Sequence, residues 1–416
     1  MRAVLAIPDL KTLRNYGDAP KVLMQEVAGV PLLARVIATA ARAGVQSVLV
    51  LWPEGLNSAI FESFAASALI KDVRVDKLVW PHAFDPRSTA HWTAIAVRLE
   101  AQFLWLPWNW VTHSGALAEL SSSRVRPVTW EHPVLLESRA VTYDASFRVS
   151  PGRQTLGVPV TCPTTVQAAE RFLLAHSANP ADGICQSFNL RLCRPVVRLF
   201  AHTGVTPNTV TLAGLLAAIL AALLFARGSY VYYLAGALLF FLSGLFDEMN
   251  GMLARLKFQD SSFGTWREGF IGKITYLAVF AGIVAGLHRE YGSWPLKCGI
   301  ALIAGSILSA LVIARQRKLA ATPGRPQEYA ERSHQLLEAD SSNVVSKIVG
   351  KVHIWVRKGN FIHCLLLFTS VNALPFFLWV AVIGSNLTWI GALHVTRRAV
   401  HHPRPQVATH DIPAAA

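Results

Sequence analysis

The sequence predicts an α/β doubly wound N-terminal domain followed by an all-α membrane domain of six transmembrane helices. Of the 416 residues, 52% are hydrophobic and only 15% are charged, which is too apolar for a single soluble domain. Long apolar runs begin near residue 206. The preceding part instead alternates short strand-like and helix-like patterns.

The N-terminal part begins with a strand, a helix and a second strand. The opening segment MRAVLAIPDL predicts the first strand, and QSVLVLW (46–52) predicts a buried strand. Between them, apolar residues recur at helical spacing: Leu32, Leu33, Val36, Ile37 and Ala40. This order of elements favours a doubly wound sheet with helices on its faces.

Six apolar segments follow, and a helix needs about 20 residues to cross ~30 Å of hydrocarbon. The predicted spans are 207–226, 229–246, 270–288, 296–314, 358–374 and 377–395. Pro375 separates the last two because proline lacks a backbone donor. Thr206 and Pro207 supply a cap and a first-turn proline for the first span.

The net charge of +14 and its distribution predict the orientation. Basic residues concentrate after spans two and four and in the tail: Arg255, Lys257, Arg267, Arg315, Arg317, Lys318, Arg325, Arg332, Lys347, Lys351, Arg357, Lys358, Arg397, Arg398 and Arg404. The positive-inside rule places that side, with both termini, in the cytoplasm of an inner-membrane protein. We expect basic loops that contact anionic lipid rather than nucleic acid.

No signal peptide is evident, and five cysteines without a CxxC motif favour free thiols.

An amphipathic helix precedes the first span. Arg191, Arg194 and Arg198 share one face. Apolar side chains populate another face: Phe188, Leu192, Val196 and Leu199. This pattern predicts a helix lying on the membrane surface, although Pro195 should kink it. An ordinary soluble helix is the alternative.

The stretch DEMNGMLARLKFQDSSFGTWREGFIG (247–272) places charge beside two apolar segments. If span two continues to residue 255, then Asp247, Asn250, Gly251 and Ala254 share one helical face. On the next helix, Gly264, Glu268 and Gly272 share another face. The small residues allow close helix approach. Charged groups at membrane depth are functional candidates; a solvated interfacial loop is the alternative.

This stretch resembles the signature of the CDP-alcohol phosphatidyltransferases, D-x2-D-G-x2-A-R-x8-G-x3-D-x3-D. Five residues match it: Asp247, Gly251, Ala254, Arg255 and Gly264. The resemblance implies that carboxylates hold Mg²⁺ or Mn²⁺ on a CDP diphosphate and that a last aspartate activates a hydroxyl acceptor. It also implies that four residues contact the CDP moiety: Gly251, Ala254, Arg255 and Gly264. It also implies a homodimer.

Three signature positions depart from the pattern. Asn250 replaces the second aspartate, Glu268 the third, and Gly272 the presumed base. Two carboxylates cannot neutralise two dications, so we expect at most one ion, at Asp247 and Glu268 with Asn250 as a weaker ligand. Gly272 leaves the base position without a carboxylate, and a general base commonly contributes ~10²–10⁴ in rate. Glu268 and Arg255 are the signature residues that remain as candidates for catalysis.

The N-terminal half resembles sugar-nucleotide nucleotidyltransferases through PKVL and VAGVPLLARVIATAARAGV. Lys21 falls at the phosphate-binding lysine of that family, although a surface lysine is an equally good interpretation. The glycine-rich loop is replaced by IPDLKTLRNYGD (7–18), and Asn109 stands near the metal-binding aspartate. We therefore expect this domain to be inactive and to serve as a scaffold.

The predicted division is 1–176 for the nucleotidyltransferase-like domain, 177–203 for the linker and interfacial helix, 204–396 for the membrane domain and 397–416 for the tail. Two functions stay open. One is transfer of a phospho-alcohol from a CDP-alcohol to a hydroxyl acceptor, with release of CMP. The other is a non-catalytic relative that binds a lipid or a partner. A transporter is disfavoured because no internal repeat is visible.

Overall fold

The computed structural model describes residues 1–81, 83–122, 130–143, 157–177, 185–260, 262–320 and 358–401. It contains two compact units. The first comprises residues 1–179, 192–210 and 249–262, and the second comprises residues 180–191, 211–248 and 263–416. The first unit thus combines the α/β part with two segments from later in the chain. Most of the predicted basic loop and the tail from residue 402 lie outside the described residues.

A five-stranded sheet forms the centre of the first unit, in the order β5-β4-β1-β6-β8. Its strands are β1 (Arg2–Ala6), β4 (Ser47–Pro53), β5 (Arg74–Trp80), β6 (Gln102–Pro107) and β8 (Val134–Glu137). The first four are parallel and β8 is antiparallel. Two short pairs complete the strands: β2 (Glu26–Val27) with β3 (Val30–Pro31), and β7 (Trp110–Val111) with β9 (Val158–Pro159). The predicted α/β class is confirmed.

Eight helices surround this sheet within the described residues. They are α1 (Leu10–Arg14), α2 (Ala19–Leu23), α3 (Leu32–Arg42), α4 (Ser58–Ala65), α5 (Thr89–Ile95), α6 (Ser114–Ser122), α7 (Ser138–Tyr143) and α8 (Pro163–His176). Every apolar residue that predicted α3 is buried. The periodicity was informative here because one face of α3 must cover apolar strands.

Helix α9 (Gln186–Ala201) is the predicted amphipathic helix, and it continues through Pro195. Phe188, Leu192 and Leu199 are 52%, 41% and 64% exposed, whereas Cys193 and Val197 are buried. An exposed apolar stripe on a helix directly before a membrane segment is typical of residence at a membrane surface.

Six helices make up the rest of the described chain. They are α10 (Pro207–Arg227), α11 (Tyr230–Leu256), α12 (Ser262–Tyr291), α13 (Trp294–Ala320), α14 (Lys358–Ser370) and α15 (Leu374–His401). Four are long and apolar enough to cross a membrane: Pro207–Arg227, Tyr230–Leu256, Gly269–Tyr291 and Trp294–Val312. The apolar parts of the last two are shorter, Asn360–Ser370 and Leu374–Ile390.

Local signals at the helix ends agree with the prediction. The Thr206 hydroxyl accepts a hydrogen bond from the Thr209 amide at 3.3 Å, and α10 begins at Pro207. A break at Ser370–Leu374 separates α14 from α15, and Pro375 is the second residue of α15. Helix α11 continues to Leu256, so the segment 247–255 is helical as expected.

A close helix contact in the second unit joins α10 and α12. A Cβ atom at Gly282 would lie 2.2 Å from the Ala222 carbonyl oxygen, and one at Gly286 would lie 2.1 Å from the Phe225 carbonyl oxygen. Two glycines one turn apart therefore let the two backbones touch. The sequence pattern predicted close packing at Gly251, Ala254 and Gly264, and it gave no indication of this glycine pair.

Candidate functional site

A cleft of about 470 Å³ lies within the second unit, where α10, α11 and α12 come together. Its polar lining consists of Thr211, Ser243, Asp247, Thr275 and Tyr276. Three glycines also line the cleft: Gly214, Gly244 and Gly272. The described lining therefore combines one carboxylate with several neutral hydroxyl groups.

Asp247 and Gly272 line this cleft together. Signature positions at the end of span two and near the start of span three thus line one cavity, and the predicted convergence of Asp247 with Glu268 stays a prediction. Glu268 lies one turn before Gly272 on α12, but its side chain is outside the described part of the structure. Gly264 is at the start of the same helix and is partly buried.

The hydroxyl of Ser243 has a structural role in this cleft. It donates a 2.7 Å hydrogen bond to the Gly214 carbonyl of α10. A Cβ atom at Gly214 would lie 3.1 Å from the Phe246 Cβ, so α10 and α11 are tightly packed. The glycine and the hydroxyl together hold α10 against the helix that carries Asp247.

The donor set of the cleft suits a single hard cation. Carboxylate and hydroxyl oxygens are the ligands that Mg²⁺ and Mn²⁺ prefer. Among the described residues no three His, Cys, Asp or Glu side chains cluster closely enough to hold a metal ion, and this search does not include the Glu268 side chain. Asp247 and the hydroxyl oxygens of the described lining fit an ion that is shared with substrate phosphates.

The remaining signature residues lie on the last turns of α11, in the first unit. Asn250 is 2% exposed and Ala254 is 5% exposed. The Arg255 guanidinium lies against Gly251, where a Cβ would be 3.4 Å from its Nη2 atom. The Nε atom of Arg255 donates to the Ser177 carbonyl oxygen at the end of α8. Arg255 thus links its helix to the α/β part of the unit.

The carboxyl edge of the sheet is filled by the protein's own side chains. The segment 7–18 does not form an open loop: Asp9 caps the short helix α1 by accepting from the Thr12 amide at 2.8 Å. Tyr16 packs edge-on against Trp108, with ring centroids 5.8 Å apart, just beyond β6. A carboxylate and two aromatic rings at this edge form a poor environment for a triphosphate.

Lys21 and Asn109 occupy positions consistent with structural roles. The Lys21 side chain is 85% exposed and forms a 3.7 Å ion pair with Asp18. The Asn109 carbonyl accepts from the Val160 amide at 2.8 Å. Phosphate binding by Lys21 stays a prediction.

Sequence reasoning missed a group of contacts around the C-terminal end of α11. Arg35 of α3 is 1% exposed and donates to the carbonyl oxygen of Leu256 at 2.9 Å. Burial lowers the pKa of Arg35 to about 9, so the guanidinium remains charged at neutral pH. The only signal in the sequence was an arginine among apolar residues on the helix 32–42.

Comparison with known proteins bears directly on this site. Residues 204–333 match the model of the family described as CDP-alcohol phosphatidyltransferase. The predicted resemblance of the C-terminal region to this family is confirmed over these residues. The match includes every residue of the 247–272 signature and most of the cleft lining.

Among curated relatives are phosphatidylinositol phosphate and archaetidylinositol phosphate synthases, and the chain spans only about half to two thirds of their length. A phosphatidylinositol phosphate synthase of Mycobacteroides abscessus is 27% identical over 121 residues, which is 29% of this chain and 54% of that protein. An archaetidylinositol phosphate synthase of Methanothermobacter thermautotrophicus is 28% identical over 131 residues, 30% of this chain and 63% of that protein. A phosphatidylinositol phosphate synthase of Mycolicibacterium smegmatis is 33% identical over 122 residues, 29% of this chain and 54% of that protein.

Among solved structures, HddC from Yersinia pseudotuberculosis covers 41% of this chain and 98% of its own, with 11% identity and a TM-score of 0.29. A TM-score this low does not establish a shared fold. The α/β assignment of the N-terminal half therefore rests on the strand order and register described above, and its nucleotidyltransferase-like character stays a prediction.

Proposed function

We propose that the membrane half transfers a phospho-alcohol from a CDP-alcohol to a hydroxyl acceptor, and that the N-terminal half does no nucleotide chemistry. The observation that carries this proposal is the cleft that Asp247 and Gly272 line together, inside a region that matches the CDP-alcohol phosphatidyltransferase family. The names of the relatives favour a CDP-lipid donor and an inositol-phosphate acceptor. The reaction takes place at the cytoplasmic face if the basic loops follow the positive-inside rule.

The reaction breaks the phosphoanhydride bond of the CDP-alcohol and forms a phosphate ester bond to the acceptor. The acceptor oxygen attacks the β-phosphorus, the bond from that phosphorus to the bridging oxygen breaks, and CMP leaves with the electron pair. The acceptor proton passes to solvent. Asp247 and Glu268 would hold one Mg²⁺ or Mn²⁺ ion, which neutralises diphosphate charge when bound. Gly251, Ala254, Arg255 and Gly264 are proposed to contact the CDP moiety.

Turnover should be slow. Gly272 supplies no carboxylate at the presumed base position, and Thr211 and Thr275 offer only neutral hydroxyls in the cleft. Loss of a general base commonly costs ~10²–10⁴ in rate. This same observation supports the second candidate function, a non-catalytic membrane protein that binds a lipid headgroup in the cleft.

The test is CMP release by the full-length protein in nanodiscs, with CDP-diacylglycerol, inositol phosphate and Mn²⁺ or Mg²⁺. We expect slow release that Asp247→Asn abolishes and that the exposed control Asp72→Asn leaves unchanged. Gly272→Asp restores the missing carboxylate and should accelerate release at least ~10-fold. Absence of CMP release from both wild type and Gly272→Asp, with every acceptor tried, would instead support the non-catalytic protein.

A further inference from the structure

The C-terminal turn of α11 is held by a buried arginine that the proposed reaction does not use. Arg35 donates from Nε to the Val27 carbonyl at 3.0 Å and from Nη2 to the Leu256 carbonyl at 2.9 Å. Leu256 is the last residue of α11. One guanidinium therefore joins the β2–β3 turn of the α/β part to the end of the helix that carries the signature.

The residue that follows this turn is held by the same helix α3. Phe258 has a φ of +56°, a left-handed conformation that is uncommon for a bulky residue. The guanidinium carbons of Arg35 and Arg42 lie 5.1 Å and 4.7 Å from its ring centroid. Arg42 also forms an ion pair with Asp260. We call Arg35, Arg42, Phe258 and Asp260 the arginine clamp.

Electrostatics explain why arginines occupy these places. The last carbonyl groups of a helix carry partial negative charge and lack partners within the helix, so a cation there is favourable. A buried cation is costly unless it is hydrogen-bonded and compensated. Arg35 has both hydrogen bonds, and the buried Glu170 compensates its charge.

A second set of contacts ties the chain before α10 to the same unit. Glu170 accepts from Arg198 Nε at 3.0 Å and from His202 Nε2 at 2.9 Å at the end of α9. Lys257, next to Leu256, donates 2.8 Å hydrogen bonds to the carbonyls of Thr203 and Val205. The end of α9 and the end of α11 are thus both fixed by side chains of one compact unit.

We propose that the α/β half acts as a clamp on the signature helix, with Arg35 and Arg42 as positioning residues that fix the last turns of α11. Those turns carry Gly251, Ala254 and Arg255, and the clamp holds them in one orientation. The N-terminal domain then serves the membrane reaction mechanically, through contacts made by α3. The catalytic consequence rests on the proposed function, whereas the clamp itself does not.

Hydrogen exchange of the full-length protein in nanodiscs tests the clamp without any substrate. Arg35→Met and Arg42→Met should each raise the exchange rates of peptides covering residues 251–260 by about tenfold, because local opening limits exchange there. Arg14→Met, an exposed arginine on α1, is the matched control and should change nothing. The Arg42 side chain is already 29% exposed, so its replacement should leave the fold intact even where Arg35→Met fails to fold.

Steady-state kinetics then separate positioning from general stability. We expect Arg42→Met to raise the KM for the CDP-alcohol several-fold while the acceptor KM stays the same, whereas partial unfolding would lower only the apparent kcat. Arg35→Lys should restore neither the slow exchange nor the low KM, because a lysine ammonium cannot reproduce the two divergent hydrogen bonds of the planar guanidinium. Unchanged exchange in Arg42→Met would overturn the clamp, whether or not CMP is released. Absence of CMP release with altered exchange would overturn only the proposed function.

Discussion

Replacing Gly286 by alanine should separate α10 from α12 and destabilise the second unit. The added Cβ would lie 2.1 Å from the Phe225 carbonyl oxygen, and real Cβ contacts are essentially never under 3.0 Å. The helices must therefore move apart by about 1 Å. Overpacking of this kind costs about 1–3 kcal/mol, and the better helix propensity of alanine returns about 1 kcal/mol. The net loss is therefore up to about 2 kcal/mol, which lowers the unfolding temperature by up to about 4–8 °C in a unit of this size.

The assay is the thermal unfolding of Gly286→Ala in detergent, followed by size-exclusion chromatography with tryptophan fluorescence. Gly269→Ala is the matched control on the same helix, because a Cβ there meets nothing within 4 Å. Gly282→Ala creates the same clash one turn earlier. A single separation of the helices relieves both clashes, so the double variant should lose less than the sum of the two. An unchanged unfolding temperature for Gly286→Ala, or full additivity in the double variant, would refute the close contact.

Three further outcomes follow from the first unit. Glu170→Gln should lower stability by about 1–3 kcal/mol, because the buried carboxylate loses its ion pair with Arg198 and its contact with the exposed His202 is weakened. Lowering the pH from about 7.5 to about 5.5 should destabilise the fold through protonation of His113. Burial, and then the nearby His176, lowers the pKa of His113 in the folded protein, so the unfolded chain binds the proton more tightly. The Cys162 thiol should alkylate with a midpoint near its pKa of about 6, which a hydrogen bond from Thr164 lowers, and Thr164→Val should raise that midpoint.

Each of these outcomes has its own control. For Glu170, the exposed Glu62→Gln should leave the unfolding temperature unchanged. For His113, the contribution of the neutral side chain to the free energy of unfolding is fully present above the unfolded pKa of about 6.5. It is lost as the pH falls from there through the lower folded pKa, so His113→Phe should flatten the pH profile of stability in that range. For Cys162, peptide mass spectrometry should show slower alkylation of the buried Cys193, and equal rates would argue against an activated thiol.

Patterns with a local cause predicted much of this fold. Helix α3 and strand β4 follow from apolar periodicity, because each must cover or enter a hydrophobic core. Thr206 and Pro207 predicted the start of α10, since capping is decided within one turn. Asp247 and Gly272 line one cleft, and the convergence of Asp247 and Glu268 that the signature spacing predicts stays a prediction.

Contacts between distant parts of the chain were not predictable in this way. Arg35 and Leu256 are separated by 221 positions, and no pattern around either residue points to the other. The Gly282–Gly286 pair has the spacing of a close helix contact, yet only the structure shows that α10 is its partner. The direction of the Arg255 side chain depends on Ser177, which belongs to a different part of the unit.

The left-handed backbone of Phe258 predicts which residue types homologous chains carry at this position. A left-handed residue at the end of a helix is most often glycine or asparagine, since a bulky side chain is strained there. Here the aromatic ring is tolerated because two guanidinium groups stack on it. In homologues that lack an N-terminal half, we expect glycine or asparagine at this position. An aromatic residue there should covary with arginines five and twelve positions after Val30, the residue that follows the glycine-containing turn between β2 and β3. Its presence in a new sequence would then indicate a fused N-terminal domain.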